Sequence, residues 1–258
     1  MPRVFVVLPA YNEEQCQPPL LAKFARLFRQ NPGWNGLVIV VDDGSKDRTA
    51  AVARRAAAQG APVELVQHPV NKGLGEALKT GMRRPLELGA ADEDLIVCMD
   101  ADDTHPPQSI PRLLRVAQDT NADIVIASRY RRGSRQVGVP LHRQAMSLGA
   151  LLLFKVFLGL DGVRDYTCGF RVYRASLVRR AFEAYGDDLI TRSGFACTDQ
   201  LLVNMARLGA VIREAPFVLR YDRKVGESKL QLGETILETF KLLAMARREL
   251  KHGPPGRR

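Results

Sequence analysis

The chain predicts an α/β fold: a doubly wound, mostly parallel sheet with helices on both faces, followed by a C-terminal amphipathic helix. Three observations carry that expectation. Short apolar runs of strand length alternate with segments of helical apolar spacing through the first half of the chain. The runs lack an apolar–polar alternation, which suits strands covered on both faces. Several of them end abruptly in acidic or polar residues, and ligands bind such sheets just beyond the carboxyl ends of the strands.

Residues 4–8 form the first apolar run, with Pro9 as its expected stop. Leu20, Leu21, Phe24, Leu27 and Phe28 follow at helical spacing, and Asn31-Pro32-Gly33 ends that helix. Residues 37–41 read as a second strand running into Asp42-Asp43-Gly44-Ser45, and residues 49–58 as an Ala/Arg-rich helix closed by Gly60-Ala61-Pro62. A strand over 63–67, a helix over 75–88 and a strand over 95–99 come next. After Pro106-Pro107 the pattern predicts a helix over 110–117 and a strand over 124–127.

The pattern changes after Ser128, where Arg129-Tyr130-Arg131-Arg132-Gly133-Ser134-Arg135 is a basic loop. Residues 145–160 are strongly apolar, broken mainly by Lys155, yet short of the ~20 residues a membrane span needs. Two readings stay open: a core helix, or a helix in a membrane interface with Arg143 and Lys155 at the headgroups. A strand over 169–173, helices over 177–184 and 201–208, and a strand over 211–219 complete the pattern. Residues 221–229 make a second basic loop. Beyond Leu230, apolar residues recur at Ile236, Leu237, Phe240, Leu243 and Ala244, and Arg247, Arg248 and Lys251 suit the helix C-terminus. The expected organisation is one domain over 1–229, the amphipathic helix over 230–251 and a disordered tail over 252–258.

A hydrophobic fraction of 46% in 258 residues supplies an ordinary core. Lys plus Arg number 38 against 28 Asp plus Glu, and the resulting +10 favours anionic partners. Nucleic acid is not expected among them, because the basic loops lack interleaved aromatic stacking residues. Cys16, Cys98, Cys168 and Cys197 are scattered without metal-ligand spacing and read as reduced thiols of a cytosolic protein. The N-terminus enters an apolar strand without a signal-peptide layout.

The chemistry concentrates at three strand ends. Residues 95–99 run into Asp100-Ala101-Asp102-Asp103. On extended backbone, side chains two apart point the same way, so Asp100 and Asp102 converge while Asp103 faces elsewhere. Two converging carboxylates suit a hard divalent cation shared with substrate phosphates; the plain alternative is an exposed acidic turn. The other two ends are Pro9-Ala10-Tyr11-Asn12-Glu13 and Asp42-Asp43-Gly44-Ser45-Lys46-Asp47. Each also has a local explanation, with Asn12 and Asp47 as helix caps and Asp-Gly as a turn.

Together these motifs resemble the inverting GT-A glycosyltransferases of family 2, in particular the dolichyl- and polyprenyl-phosphate mannose or glucose synthases. The resemblance continues in family order through Asn71-Lys72-Gly73-Leu74-Gly75, Ser128-Arg129-Tyr130, Arg143 with Ser147, Cys168-Gly169-Phe170-Arg171, and Tyr221 and Arg223 with Gly226-Glu227-Ser228-Lys229. It implies a GT-A sheet and transfer of a hexose, mannose favoured, from a nucleotide sugar to a polyprenyl phosphate. Pro9, Tyr11, Glu13 and Asp42 would line the nucleotide pocket together with Asp100. Asp100 and Asp102 match the metal motif for Mg²⁺ or Mn²⁺ on the pyrophosphate. Arg129, Arg143, Arg223 and Lys229 would receive the acceptor phosphate, with Asp100, Asp102, Arg129 and Arg223 as the catalytic set. GDP-mannose is the favoured donor over UDP-glucose, and the implied location is peripheral, at the cytoplasmic face of a membrane. The sequence departs from the pattern at Thr104, where relatives often carry Gln, and around Thr198-Asp199-Gln200, where the acidic register is ambiguous by one position. A phosphate acceptor is already anionic, so the expectation is that Asp199 is not an essential base. The competing readings are a saccharide-hydroxyl acceptor on the same fold, a sugar nucleotidyltransferase and a non-catalytic nucleotide-binding protein.

Overall fold

The structure, a computed structural model, describes residues 2–194, 196–223 and 239–244. Its strands are β1 (Val4–Ala10), β2 (Leu37–Asp42), β3 (Val63–Gln67), β4 (Leu95–Cys98), β5 (Ile124–Ser128), β6 (Arg135–Val137), β7 (Arg171–Arg174), β8 (Ile212–Pro216) and β9 (Val218–Arg220). Its helices are α1 (Gln17–Gln30), α2 (Thr49–Ala58), α3 (Leu74–Glu87), α4 (Ile110–Asp119), α5 (Leu141–Phe157), α6 (Ala175–Tyr185) and α7 (Ala196–Arg207). The main sheet has seven strands in the order β3-β2-β1-β4-β7-β5-β8. All neighbours are parallel except β7, which runs antiparallel to both β4 and β5.

The apolar runs explain why the centre of this sheet is dry. Val6, Val7, Leu8, Val38, Ile39, Val40, Val41, Ile96 and Val97 are fully buried, as strands covered on both faces require. Helices α3, α6 and α7 contact one another on one side, while α1 packs on α2 and, through the short turn Pro107–Ser109, reaches α4. Gly81 lets α3 lie close on the sheet, since a Cβ there would sit 2.2 Å from Val7 Cγ1. The four cysteines are free and buried, and burial pushes the Cys98 and Cys168 thiols up to about 12.

Several expected boundaries move, each for a physical reason. Strand β1 runs through Pro9 to Ala10 rather than stopping before it. Val7 faces β4, because its carbonyl accepts from Met99 N at 3.3 Å. Pro9 faces the same way, beyond the last β1–β4 pair at Val7 and Cys98, where no ladder partner needs its missing N–H. The single strand expected over 211–219 is two strands divided at Phe217, because Pro216 cannot continue the ladder. The second piece, β9, pairs with β6, a short strand starting at the last residue of the basic loop. Helix α7 begins five residues ahead of the predicted 201, with Ala196 and Cys197 already buried.

Helix α5 divides the apolar stretch over 145–160 between core and surface. Phe154 enters the core and stacks on Tyr166 with ring centroids 5.2 Å apart. Leu141 (82% exposed), Leu148 (51%), Leu152 (56%) and Val156 (80%) instead form an outward apolar stripe at helical spacing. The core reading therefore holds for Phe154, with Ala150, Leu153 and Phe157 packed against the core, and fails for the exposed stripe. Among the described residues, no helix is long and apolar enough to cross a membrane. Of the C-terminal helix expected over 230–251, residues 239–244 are helical with Leu242 and Leu243 buried; its remainder and the 252–258 tail lie outside the described residues.

Candidate active site

Strand order converts the three polar strand ends into neighbours. Ala10 pairs with Asp42 across β1 and β2, and Val7 with Cys98 across β1 and β4. Asp42, Pro9 and Asp100 therefore sit on adjacent strand ends, with β2 and β4 about 10 Å apart. Gly169, just ahead of β7, comes next, since a Cβ on it would lie 3.7 Å from Asp100 Oδ1. Arg129 follows β5 on the same edge.

The turn carrying Asp100 and Asp102 is organised from within. Asp102 Oδ1 accepts from Thr104 N at 3.1 Å and from Thr104 Oγ1 at 2.7 Å. Thr104 therefore orients Asp102. Asp100 N donates to His105 Nδ1 at 3.2 Å, and His105 is stacked on Phe170 and edged by Phe217. That ring wedge fixes the start of the turn. The Asp100 side chain is 41% exposed toward the crevice, whereas Asp102 and Asp103 are buried. Among the described residues no cluster of three or more His, Cys, Asp or Glu side chains is assembled. Two hard carboxylates on one turn, open on one side, fit a Mg²⁺ or Mn²⁺ ion that completes its shell from diphosphate oxygens and water.

On the β1–β2 side, the loops after the two strands are laced together. Asn12 N donates to Ser45 Oγ, Lys46 N to Asn12 Oδ1 and Glu13 N to Thr49 Oγ1, at 2.8 to 2.9 Å. Asn12 thus braces the second loop instead of capping α1, and the N-cap of α2 is Arg48, with Asp47 just ahead of it accepting from Thr49 N. Tyr11 and Glu13 stand half-buried beside the crevice. Asp42 is fully buried, accepting from Ser45 N and Gln67 Nε2 at 3.1 and 3.0 Å, so its carboxylate is spent on the loop after β2 and on β3. Sequence reasoning overlooked its neighbour Asp43. That carboxylate lies 2.7 Å from His68 Nδ1 and accepts from Lys72 N and Gly73 N, holding the Gly-rich segment in place.

The basic side is anchored by acids that sequence reasoning also missed. The Arg129 guanidinium donates to Asp165 through Nε (2.8 Å) and Nη2 (2.6 Å), and Nη2 also reaches Thr167. Burial opposes its charge, but the buried Asp165 carboxylate outweighs burial and raises its pKa further. Arg131 donates to Glu214 at 2.8 Å, and Glu214 also receives Arg164 N and Asp165 N. Arg143, on α5, lies over the Tyr221 ring at 5.4 Å, and Tyr130 and Ser147 hydroxyls are 2.6 Å apart. The two basic loops therefore meet at α5, with Arg223 in the same turn as Tyr221. Lys229 lies outside the described residues. No local pattern marks Asp165 or Glu214, whose partners lie 36 and 83 residues away.

Below this edge, Arg171 is wholly buried and donates to the carbonyls of Thr198 (2.6 Å) and Tyr166 (2.5 Å). Asp199 is buried near it, and burial, against the pull of Arg171, lifts its carboxyl to about 7.

Comparison with known proteins agrees with this geometry. Residues 5–182 match glycosyl transferase family 2. The chain is 34% identical over 250 residues to the undecaprenyl-phosphate mannosyltransferase of Micrococcus luteus, covering 96% of each. It is 32% identical to the polyprenol monophosphomannose synthase of Mycolicibacterium smegmatis, covering 92% of this chain and 84% of that one. Among solved structures, a mannosyltransferase from Pyrobaculum calidifontis in complex with GDP-Man and Mn²⁺ superposes with a TM-score of 0.62 at 19% identity, over 96% of this chain and 65% of that one. Glucosyl-3-phosphoglycerate synthase from Mycobacterium tuberculosis, in complex with Mn²⁺, UDP-glucose and glycerol 3-phosphate, gives 0.63 at 23% identity, over 95% and 80%. These likenesses establish the GT-A fold, and the family match over most of the chain, with relatives this similar along its length, makes it a glycosyltransferase belonging to glycosyl transferase family 2.

Proposed function

We propose that this glycosyltransferase moves mannose, with inversion, from GDP-mannose to a polyprenyl phosphate at the cytoplasmic face of a membrane. The observation that carries the reading is the position of Arg143. It lies on the same helix as the outward stripe of Leu141, Leu148, Leu152 and Val156, and beside the turn that holds Arg223. A lipid phosphate needs cations for its head and an apolar surface next to them, and α5 offers both. The names of the mannosyltransferase relatives support the same acceptor class and sugar. The +10 charge suits the anionic inner leaflet, to which peripheral contact through α5 and the segment over 230–251 is proposed.

In this reading Asp100 and Asp102 would hold Mg²⁺ or Mn²⁺, which neutralises the departing diphosphate. Pro9, Tyr11 and Glu13 border the nucleotide, with Asp42 and Asp43 setting the loops around it. Arg129, held by Asp165 through Nε and Nη2, stands on the acceptor side in this reading. Arg143, Arg223 and Lys229 complete the phosphate grip by charge-assisted hydrogen bonds. The acceptor oxygen bonds to the anomeric carbon as the bond to the diphosphate oxygen breaks on the opposite face. The phosphate monoester loses its second proton near pH 6, so no side chain needs to withdraw one.

The test is formation of a lipid-linked sugar from labelled GDP-mannose or UDP-glucose with short-chain polyprenyl phosphate, with and without EDTA. Product from GDP-mannose, abolished by EDTA, is expected; no product from either donor refutes the proposal. A second reading, transfer to a saccharide hydroxyl, has one observation in its favour. Asp199, a buried carboxyl lifted to about 7, would be the general base in that reading. Turnover of a soluble sugar acceptor without lipid would establish it.

A further inference from the structure

The metal-binding turn is also held from outside the crevice. Asp103 has φ +61°, a left-handed backbone that costs a non-glycine residue about 1 kcal/mol or more and persists where its surroundings impose it. Its carboxylate is buried, and Oδ2 forms an ion pair with Lys23 Nζ on α1. Oδ1 has no hydrogen-bond partner among the described residues. On the other flank, Arg220 N of β9 donates to Thr104 O at 3.0 Å. The turn is therefore pinned at two consecutive residues, one to a helix and one to the ribbon strand. Lys23 carries the harder share, because removing it would leave a buried carboxylate uncompensated. Asp103 would then swing toward water, and Asp102 is its immediate neighbour in a turn whose backbone is already strained.

We propose that Lys23, on α1, is a positioning residue for the metal ligands. By pinning Asp103 it sets the placement of Asp100 and Asp102 before a cation arrives. The inference rests on the metal-dependent transferase reading above. It predicts that loss of Lys23 falls on cation affinity rather than on folding alone, as loss of groups that orient metal ligands does elsewhere.

The experiment uses the full chain as Lys23→Met, Lys23→Arg, and Lys23→Met combined with Asp103→Asn. Mn²⁺ binding is read from the electron paramagnetic resonance signal of free Mn²⁺ with GDP present, and thermal stability is read alongside. The expected result is a Mn²⁺ dissociation constant raised about tenfold or more by Lys23→Met and largely restored by Lys23→Arg. The double variant removes the buried charge, so it should regain stability but not Mn²⁺ affinity. Mn²⁺ affinity within twofold of the parent in Lys23→Met or in the double variant overturns the proposal. If Lys23→Met does not fold, the double variant decides alone. Absence of Mn²⁺ binding by the unsubstituted chain with GDP or UDP would instead overturn the metal-dependent reading itself.

Discussion

Replacing Asp199 with Asn separates the two acceptor classes and tests the electrostatics beneath the crevice in one variant. The carboxyl is buried near Arg171, and burial lifts its pKa from 3.8 to about 7. Between those values the folded chain holds a proton that the unfolded chain releases. The stability contributed by this group is therefore complete below pH 4 and lost as pH rises through about 7. A shift of that size corresponds to a loss on the order of 4 kcal/mol, an upper figure because nearby groups can rearrange. Asn cannot ionise and escapes the loss. In chemical denaturation with EDTA present, the stability of Asp199→Asn relative to the parent should climb from pH 4.5 to pH 8. A difference that stays flat across that range would refute the burial argument. For catalysis, turnover with polyprenyl phosphate should survive within about tenfold and keep a rise near pH 6, set by the phosphate. A general base contributes about 100-fold or more. A loss of that size, with fold and GDP-mannose binding intact, would sink the expectation that Asp199 is not an essential base.

Three other predictions follow from the same geometry. Asp102→Asn should lower turnover at least about a hundredfold and abolish Mn²⁺ retention in the presence of GDP, with circular dichroism unchanged; retained Mn²⁺ affinity would remove Asp102 from the ligand set. Leu148→Lys with Leu152→Lys should weaken sedimentation with anionic liposomes about tenfold or more while shifting stability by less than about 0.5 kcal/mol, since both side chains already face outward; unchanged liposome binding would dissociate α5 from the membrane. Glu214→Gln should destabilise the fold by about 3 kcal/mol in urea titration, because Glu214 is the buried partner of Arg131. It should also raise the half-saturating concentration of polyprenyl phosphate, because the loop holding Arg129 loses its anchor.

Much of the molecule was legible in order along the chain. Buried strands advertise themselves as short apolar runs, so β1 to β5 and the helices between them were each anticipated within a few residues. The separation of Asp103 from Asp100 and Asp102 was expected from alternation along extended backbone, but β4 ends at Cys98 and residues 100–103 form a turn in which Asp103 is left-handed. Asp103 pairs instead with Lys23 of α1, a partner no local pattern names. Charge at one strand end says that a counterion is needed and nothing about which helix supplies it.

The apolar periodicity of the chain thus determined the sheet, the helices and the strand ends at which acids gather, because those depend on residues within a turn or two of one another. Tertiary structure alone decided the rest. A strand buried on both faces carries the same apolar signature in either direction, so only the packed sheet reveals β7 as antiparallel between β4 and β5. Arg129 is tied to Asp165, and Arg131 to Glu214, by contacts between distant residues that no local pattern encodes. Helix α5 is apolar around most of its circumference, so its composition cannot say which side the core will take. The core took Phe154 and left Leu141, Leu148, Leu152 and Val156 facing outward on the helix that carries Arg143.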